Sequence, residues 1–92
     1  MATSGQTTVT TAGTEVRLAT NQPSRGLVYI RALSANTGKM YIGNDGADAV
    51  SSSTGYELAA GDQVIVTLTN LNQLWVDASV NGEKVCWLIA EG

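Results

Sequence analysis

The sequence predicts an all-β domain, a sandwich or barrel of seven to eight short antiparallel strands. Three observations carry that prediction. Apolar runs of strand length alternate with Gly-, Asn-, Ser- and Asp-rich turns at intervals of about 8–12 residues. No longer window repeats its apolar positions at helical spacing. Asn81-Gly82 sits between two apolar runs, and both central residues of a tight hairpin turn need a positive φ that this pair supplies well.

The chain has 92 residues, enough for one domain. Residues 1–13 stand apart from the rest: they are mostly Thr, Ser, Gly and Ala with the single apolar Val9. Two readings stay open for them, a frayed terminus and a flexible arm that becomes a strand on meeting a sheet edge of a neighbouring subunit. Residues 14–92 form the sandwich domain. "TTVTT" (7–11) and "EVRLA" (15–19) are short strand candidates, and "LVYIRAL" (27–33) is a strong one. "KMYIG" (39–43) and the short "GYELA" (55–59) follow, then the strong "QVIVTLT" (63–69), "LWVDA" (74–78) and "KVCWLIA" (84–90). The Asn81-Gly82 turn is expected to join 74–80 to 84–90 as antiparallel neighbours. Gly61-Asp62 is expected to do the same between 56–59 and 63–69.

Side chains alternate faces along a strand. Parity therefore places Val28, Ile30, Met40, Ile42, Val64, Val66, Leu68, Leu74, Val76 and one face of 85–90 in the core. It leaves a partly apolar outer set, and "KVCWLIA" poses the problem most sharply. Val85, Trp87 and Ile89 line one side while Cys86, Leu88 and Ala90 line the other, so both sides are apolar. Either loops and the other sheet cover the second side, or another subunit does; apolar surplus on a small protein marks an interaction surface. The candidate interface residues are Val9 on the arm and Tyr29, Tyr41, Ile65, Trp75, Cys86 and Leu88 on the strands. For Trp75 and Tyr41, packing under a loop, anchoring an interface and stacking a sugar all remain open.

Hydrophobic residues make up 43% and charged residues 14%, which fits a folded protein and excludes a disordered one. Net charge is −3, and Arg17, Arg25, Arg31, Lys39 and Lys84 are scattered singly. That pattern argues against nucleic acid, which demands clustered cations, and against anionic membranes. No run approaches the roughly 18 apolar residues of a membrane span. The first residues lack the basic and apolar regions of a secretory signal, so synthesis and retention in a cytoplasm are expected. Cys86 is the only cysteine and there is no histidine. Histidine-based nucleophile activation and an ordinary zinc site are excluded. The eight carboxylates sit in no recognisable catalytic pattern, so neither an enzyme nor a cofactor is expected. "NDGADA" (44–49) has Asp45 and Asp48 three apart with Gly46 out of place for a calcium loop, and reads as a solvated turn.

Taken together, residues 28–90 show an ordered set of parts. A strand leads to "NTG", then comes "KMYIG", a Ser-rich loop, "GYELAAGD", an apolar strand, "NLNQLWVDA", a short turn and a last apolar strand. This resembles the small virion proteins of tailed bacteriophages that sit on the head as decoration or cement proteins; related modules occur in fibres and tails. The resemblance implies a compact, jelly-roll-like β-sandwich, assembled most often as a trimer on the major capsid protein, placed on the virion surface and made in the bacterial cytoplasm. Its implied role is to stabilise the shell. The alternative is a tail, fibre or baseplate module that binds host glycan, with Trp75, Tyr41 and Tyr56 as stacking rings. On the arm reading, deleting residues 1–13 weakens assembly or capsid binding and leaves the 14–92 fold intact.

Overall fold

The computed structural model describes residues 2–43, 50–51 and 53–90. These form β1 (Thr3–Val9), β2 (Val16–Arg17), β3 (Leu27–Ala32), β4 (Met40–Gly43), β5 (Tyr56–Leu58), β6 (Gln63–Thr67), β7 (Trp75–Ala78) and β8 (Glu83–Ile89), with one 3-10 turn at Leu71–Gln73. The strands lie in two antiparallel sheets. Sheet A has the order β1-β8-β3-β6 and sheet B the order β2-β7-β4-β5. That is the strand order of a jelly roll. Its origin is simple: β1 pairs with β8, β2 with β7, β3 with β6 and β4 with β5. The chain is thus one long nested hairpin folded between β4 and β5. Rolling it up brings β8 against β3 and β7 against β4, which completes both sheets. The "NDGADA" segment, with the calcium question attached to it, lies outside the described residues.

Both expected hairpins are corrected. The Asn81-Gly82 turn forms, with Gly82 at φ +80°, but β7 belongs to sheet B and β8 to sheet A. The chain crosses between sheets there instead of doubling back. Gly61-Asp62 likewise carries the chain from β5 in sheet B to β6 in sheet A. The reason is competition for edges. β7 already has β2 and β4 beside it, and β8 has β1 and β3. The Asn81-Gly82 turn docks instead on the connection after β1: the Asn81 side-chain carbonyl accepts from Ala12 N–H at 2.8 Å, and Gly82 N–H donates to the Val9 carbonyl at 2.8 Å.

The segment expected to be a separate arm is also different. Residues 3–9 pair along their whole length with β8, from Thr3 opposite Ile89 to Val9 opposite Glu83. Val9 is 0% exposed and belongs to the core. Alternation directs Thr3, Gly5, Thr7 and Val9 to the interior side, where β8 offers an apolar face that would otherwise end in water. Gly5 is required by that contact, because a Cβ there would lie 2.5 Å from Cζ2 of Trp87. The Trp87 indole N–H in turn donates to the Thr7 hydroxyl at 3.2 Å.

The interior follows parity closely. Val28, Ile30, Met40, Ile42, Leu74, Val76, Val85 and Ile89 are buried between the sheets, with Val64, Val66, Leu68 and Trp87 packed partly against them. Val9, Leu18, Leu58 and Leu71 complete the core. Leu71 is held by a capped 3-10 turn: the Asn70 side chain accepts from Asn72 N–H at 3.0 Å, and the Gln73 side chain accepts from Asn70 N–H at 3.2 Å. The stretch "NLNQ", read from sequence as a plain turn, therefore anchors a core leucine.

Glu83 is the buried charge that fixes one end of the sandwich. Its Oε1 accepts from the backbone N–H groups of Thr37 (2.8 Å) and Gly38, so it holds the β3–β4 connection against the start of β8. Charge-assisted bonds of this kind contribute about 1.5–3 kcal/mol, and their loss would strand two backbone donors. Glu83→Ala is expected to destabilise the domain by about 2–3 kcal/mol, and Glu83→Gln, which keeps an acceptor, by clearly less. Thermal unfolding of the two variants checks this ordering.

Candidate functional site

The two outer faces of the sandwich differ. On sheet B, parity points Trp75, Asp77 and Tyr41 outward, yet loops cover much of this face. Asp77 is 3% exposed: its Oδ1 accepts from Gly13 N–H at 2.9 Å and from Ala78 N–H at 2.7 Å. Tyr41 is 7% exposed and lies against Gly55, whose added Cβ would stand 2.6 Å from the Tyr41 Cβ. The Arg17 guanidinium sits over the Trp75 ring at 4.9 Å from its centroid, a cation–π contact that half-covers the indole. A depression of about 350 Å³ remains between Gly13, Tyr41, Ser51, Asp77 and Ser79.

Sheet A is open on its outer face. Register places its outward side chains in rows across all four strands. Ser4, Leu88, Tyr29 and Ile65 form one row. Gln6, Cys86, Arg31 and Gln63 form the next. Leu27 is 47% exposed, Ile65 49% and Leu88 45%. Among the described residues, the apolar second side of "KVCWLIA" is therefore left largely open, with Leu88 exposed and Cys86 half-buried. Between the two rows lies a depression of about 420 Å³, lined by Ser4, Gln6, Tyr29, Arg31, Gln63, Cys86 and Leu88, with Gly5 and Trp87 contributing to its wall.

The electrostatics of this face are one-sided. Arg31 is the single charged residue lining the depression, and its Nε donates to the Gly61 carbonyl at 3.3 Å, which steadies the guanidinium beside the rows. Lys84, opposite Thr8, points the same way. None of the outward positions of the four strands is Asp or Glu, although the chain as a whole carries −3. The face can thus offer an apolar platform with a phenol, a guanidinium and two carboxamides at its centre. Sites that bind ligands or partners share that plan of apolar area with a few convergent polar groups.

Of the seven candidate interface residues, the structure brings Tyr29, Ile65, Cys86 and Leu88 together on this face. Val9 and Tyr41 are instead taken up inside the chain, and Trp75 lies on the opposite sheet under Arg17. For Tyr41, of the readings left open, the structure supports packing under a loop: it points out of sheet B and is covered there, with Gly55 against it. Sequence reasoning missed Arg31, Gln6 and Gln63, which flank Cys86 in its row. Only the register of β1, β8, β3 and β6 makes them neighbours, and these strands lie far apart in the chain. Among the described residues, no group of three or more Cys, Asp or Glu side chains is placed to hold a metal ion. No family model matches the chain, and no curated protein matches its sequence.

Proposed function

We propose that this chain is a structural virion protein of a tailed phage, which binds the outer surface of the capsid as a small oligomer and stabilises the shell. The observation that carries this reading is the open face of sheet A: an apolar row of Leu88, Tyr29 and Ile65, with no carboxylate among its outward positions, beside a face on sheet B that loops largely cover. The reading takes its virion setting from the resemblance of the ordered parts of residues 28–90 to phage head decoration proteins. The mechanism is mechanical. A subunit seated across two neighbouring capsid proteins buries apolar area in both contacts, at about 25 cal/mol per Å². Because it binds only the assembled shell, it stabilises that shell by mass action, by about 2.7 kcal/mol per site at a hundred times its dissociation constant.

The test is to add the chain to undecorated cognate capsids and measure their rupture temperature. A rise is expected, and Leu88→Lys, which puts a hydrated charge into the apolar row, should remove most of it. No rise at saturating occupancy would overturn the proposal. One observation favours a second reading, a glycan-binding module of a tail or fibre: Tyr29 lies beside Arg31, Gln6 and Gln63 in the 420 Å³ depression. The candidate stacking ring is then Tyr29 in place of Trp75, Tyr41 and Tyr56; Tyr56 is exposed on β5 of sheet B and does not line this depression. Glycan-array binding that disappears with Tyr29→Ala, together with the chain's presence in tails and not in heads, would favour it.

A further inference from the structure

Sheet B guards its edges and sheet A does not. β2 is two residues long, β5 is three, and Glu57 of β5 carries an ion pair to Lys39 at 3.5 Å. Short strands and charges are the usual means of keeping an edge from pairing with another chain. The sheet A edge β6 is five residues, Gln63-Val64-Ile65-Val66-Thr67, with no charge, no proline and no glycine. The opposite edge, β1, offers less: it contains Gly5, and its outward positions are Ser4, Gln6 and Thr8.

The free hydrogen-bonding groups of β6 can be named. In an antiparallel ladder, alternate residues of a strand bond to a given neighbour. Ala32 N–H donates to the Asp62 carbonyl (3.0 Å) and Leu68 N–H to the Gly26 carbonyl (3.3 Å), bracketing the β3–β6 register from Arg31↔Gln63 to Leu27↔Thr67. Val64 and Val66 are therefore the residues bonded to β3. The N–H and C=O groups of Gln63, Ile65 and Thr67 face the open edge.

This edge is self-complementary. Laid antiparallel on a second copy about a two-fold axis at Ile65, Ile65 meets Ile65, Gln63 meets Thr67, and Val64 meets Val66. Each of the three outward pairs then exchanges two hydrogen bonds, so every open group of β6 is satisfied. Ile65 is 49% exposed, and Val64 and Val66 are only partly covered by the chain's own core. The same pairing covers part of the exposed flank of all three, and no like charges meet across the axis. We propose that the chain is a two-fold dimer through β6, which joins two copies of sheet A into one sheet of order β1-β8-β3-β6-β6-β3-β8-β1. This departs from the trimer that the resemblance implies. It stands whether or not the outer face of sheet A meets a capsid.

Native mass and amide hydrogen exchange, measured on the full chain over a range of concentrations, test it together. The expected mass is twice that of the chain, falling to one on dilution. The amides of Gln63, Ile65 and Thr67 should exchange about five-fold more slowly at a chain concentration ten times the dissociation constant than in the dilute monomer, while Val64 and Val66 stay protected throughout. Ile65→Lys should give a monomer with an unchanged far-ultraviolet dichroism spectrum, and the milder Thr67→Lys should weaken the dimer in the same direction. Leu88→Lys, two strands away on the same face, should leave the dimer intact. A single-chain mass at every concentration, a three-fold mass, or exchange at 63, 65 and 67 that ignores concentration would each overturn the proposal.

Discussion

Deleting residues 2–10 is expected to destabilise the domain by at least about 3 kcal/mol, which for a chain of this size is roughly 12–24 °C in Tm. β1 contributes far more than a tether. Its Val9 is fully buried, and burying a valine contributes about 1.5–3 kcal/mol. Its loss would strip one side of β8, leaving the N–H and C=O groups of that strand's outer edge without the partners they now have from Thr3 to Val9. It would also remove the Thr7 hydroxyl that accepts from Trp87 and donates to the Leu18 carbonyl, and the Val9 carbonyl that anchors the turn at Gly82. Natural domains of this kind have only about 5–15 kcal/mol in hand, so the truncated chain should populate unfolded molecules at modest temperature. Scanning calorimetry of residues 11–92 beside the full chain measures the difference. An unchanged Tm would return the first residues to the separate arm that their composition suggests.

Ile30→Ala is the second large effect. Ile30 is 0% exposed at the centre of β3, opposite Val64 on one side and Trp87 on the other. Buried Ile→Ala changes cost about 2–5 kcal/mol, the upper part of that range applying where neighbours cannot collapse into the cavity. Here the flanking positions are held by two ladders, so a loss of about 3–4 kcal/mol is expected. Leu88→Ala on the adjacent strand is the internal control. Leu88 opposes Tyr29, one residue before Ile30, and points to the other face. It should cost only about 0.5 kcal/mol, as surface changes usually do. Urea denaturation with an unchanged m-value separates the two. Equal losses would mean that the outer face of sheet A is covered after all.

Much of this architecture was legible in local pattern. Alternation along "LVYIRAL", "QVIVTLT" and "KVCWLIA" identifies the strands and sorts their faces, because the period of two is a local property of extended backbone. The core positions Val28, Ile30, Met40, Ile42, Val76, Val85 and Ile89 follow from it. So does the surplus apolar side at Cys86 and Leu88. Strand partners were not legible. The turns at Asn81-Gly82 and Gly61-Asp62 carry the residue signals of hairpins, and a local rule assigns their flanking strands to each other. Nested pairing overrides that rule, since β8 is paired on both sides by β1 and β3 and has no edge left for β7.

By itself, then, the sequence determined the strand content, the inward faces, the tight turns and the absence of histidine chemistry. These rest on residues within a few positions of one another, or on composition. Only the tertiary structure decided that residues 3–9 belong to the chain's own sheet, that Tyr41 is buried while Tyr29 is presented, and that Arg31, Gln6 and Gln63 converge beside an apolar row. It alone showed which edge is left unguarded. Each of those facts depends on which distant strands lie side by side. The chain settles that by burying both sheets against one core and pairing distant strands across each sheet, a balance that no short stretch of it contains.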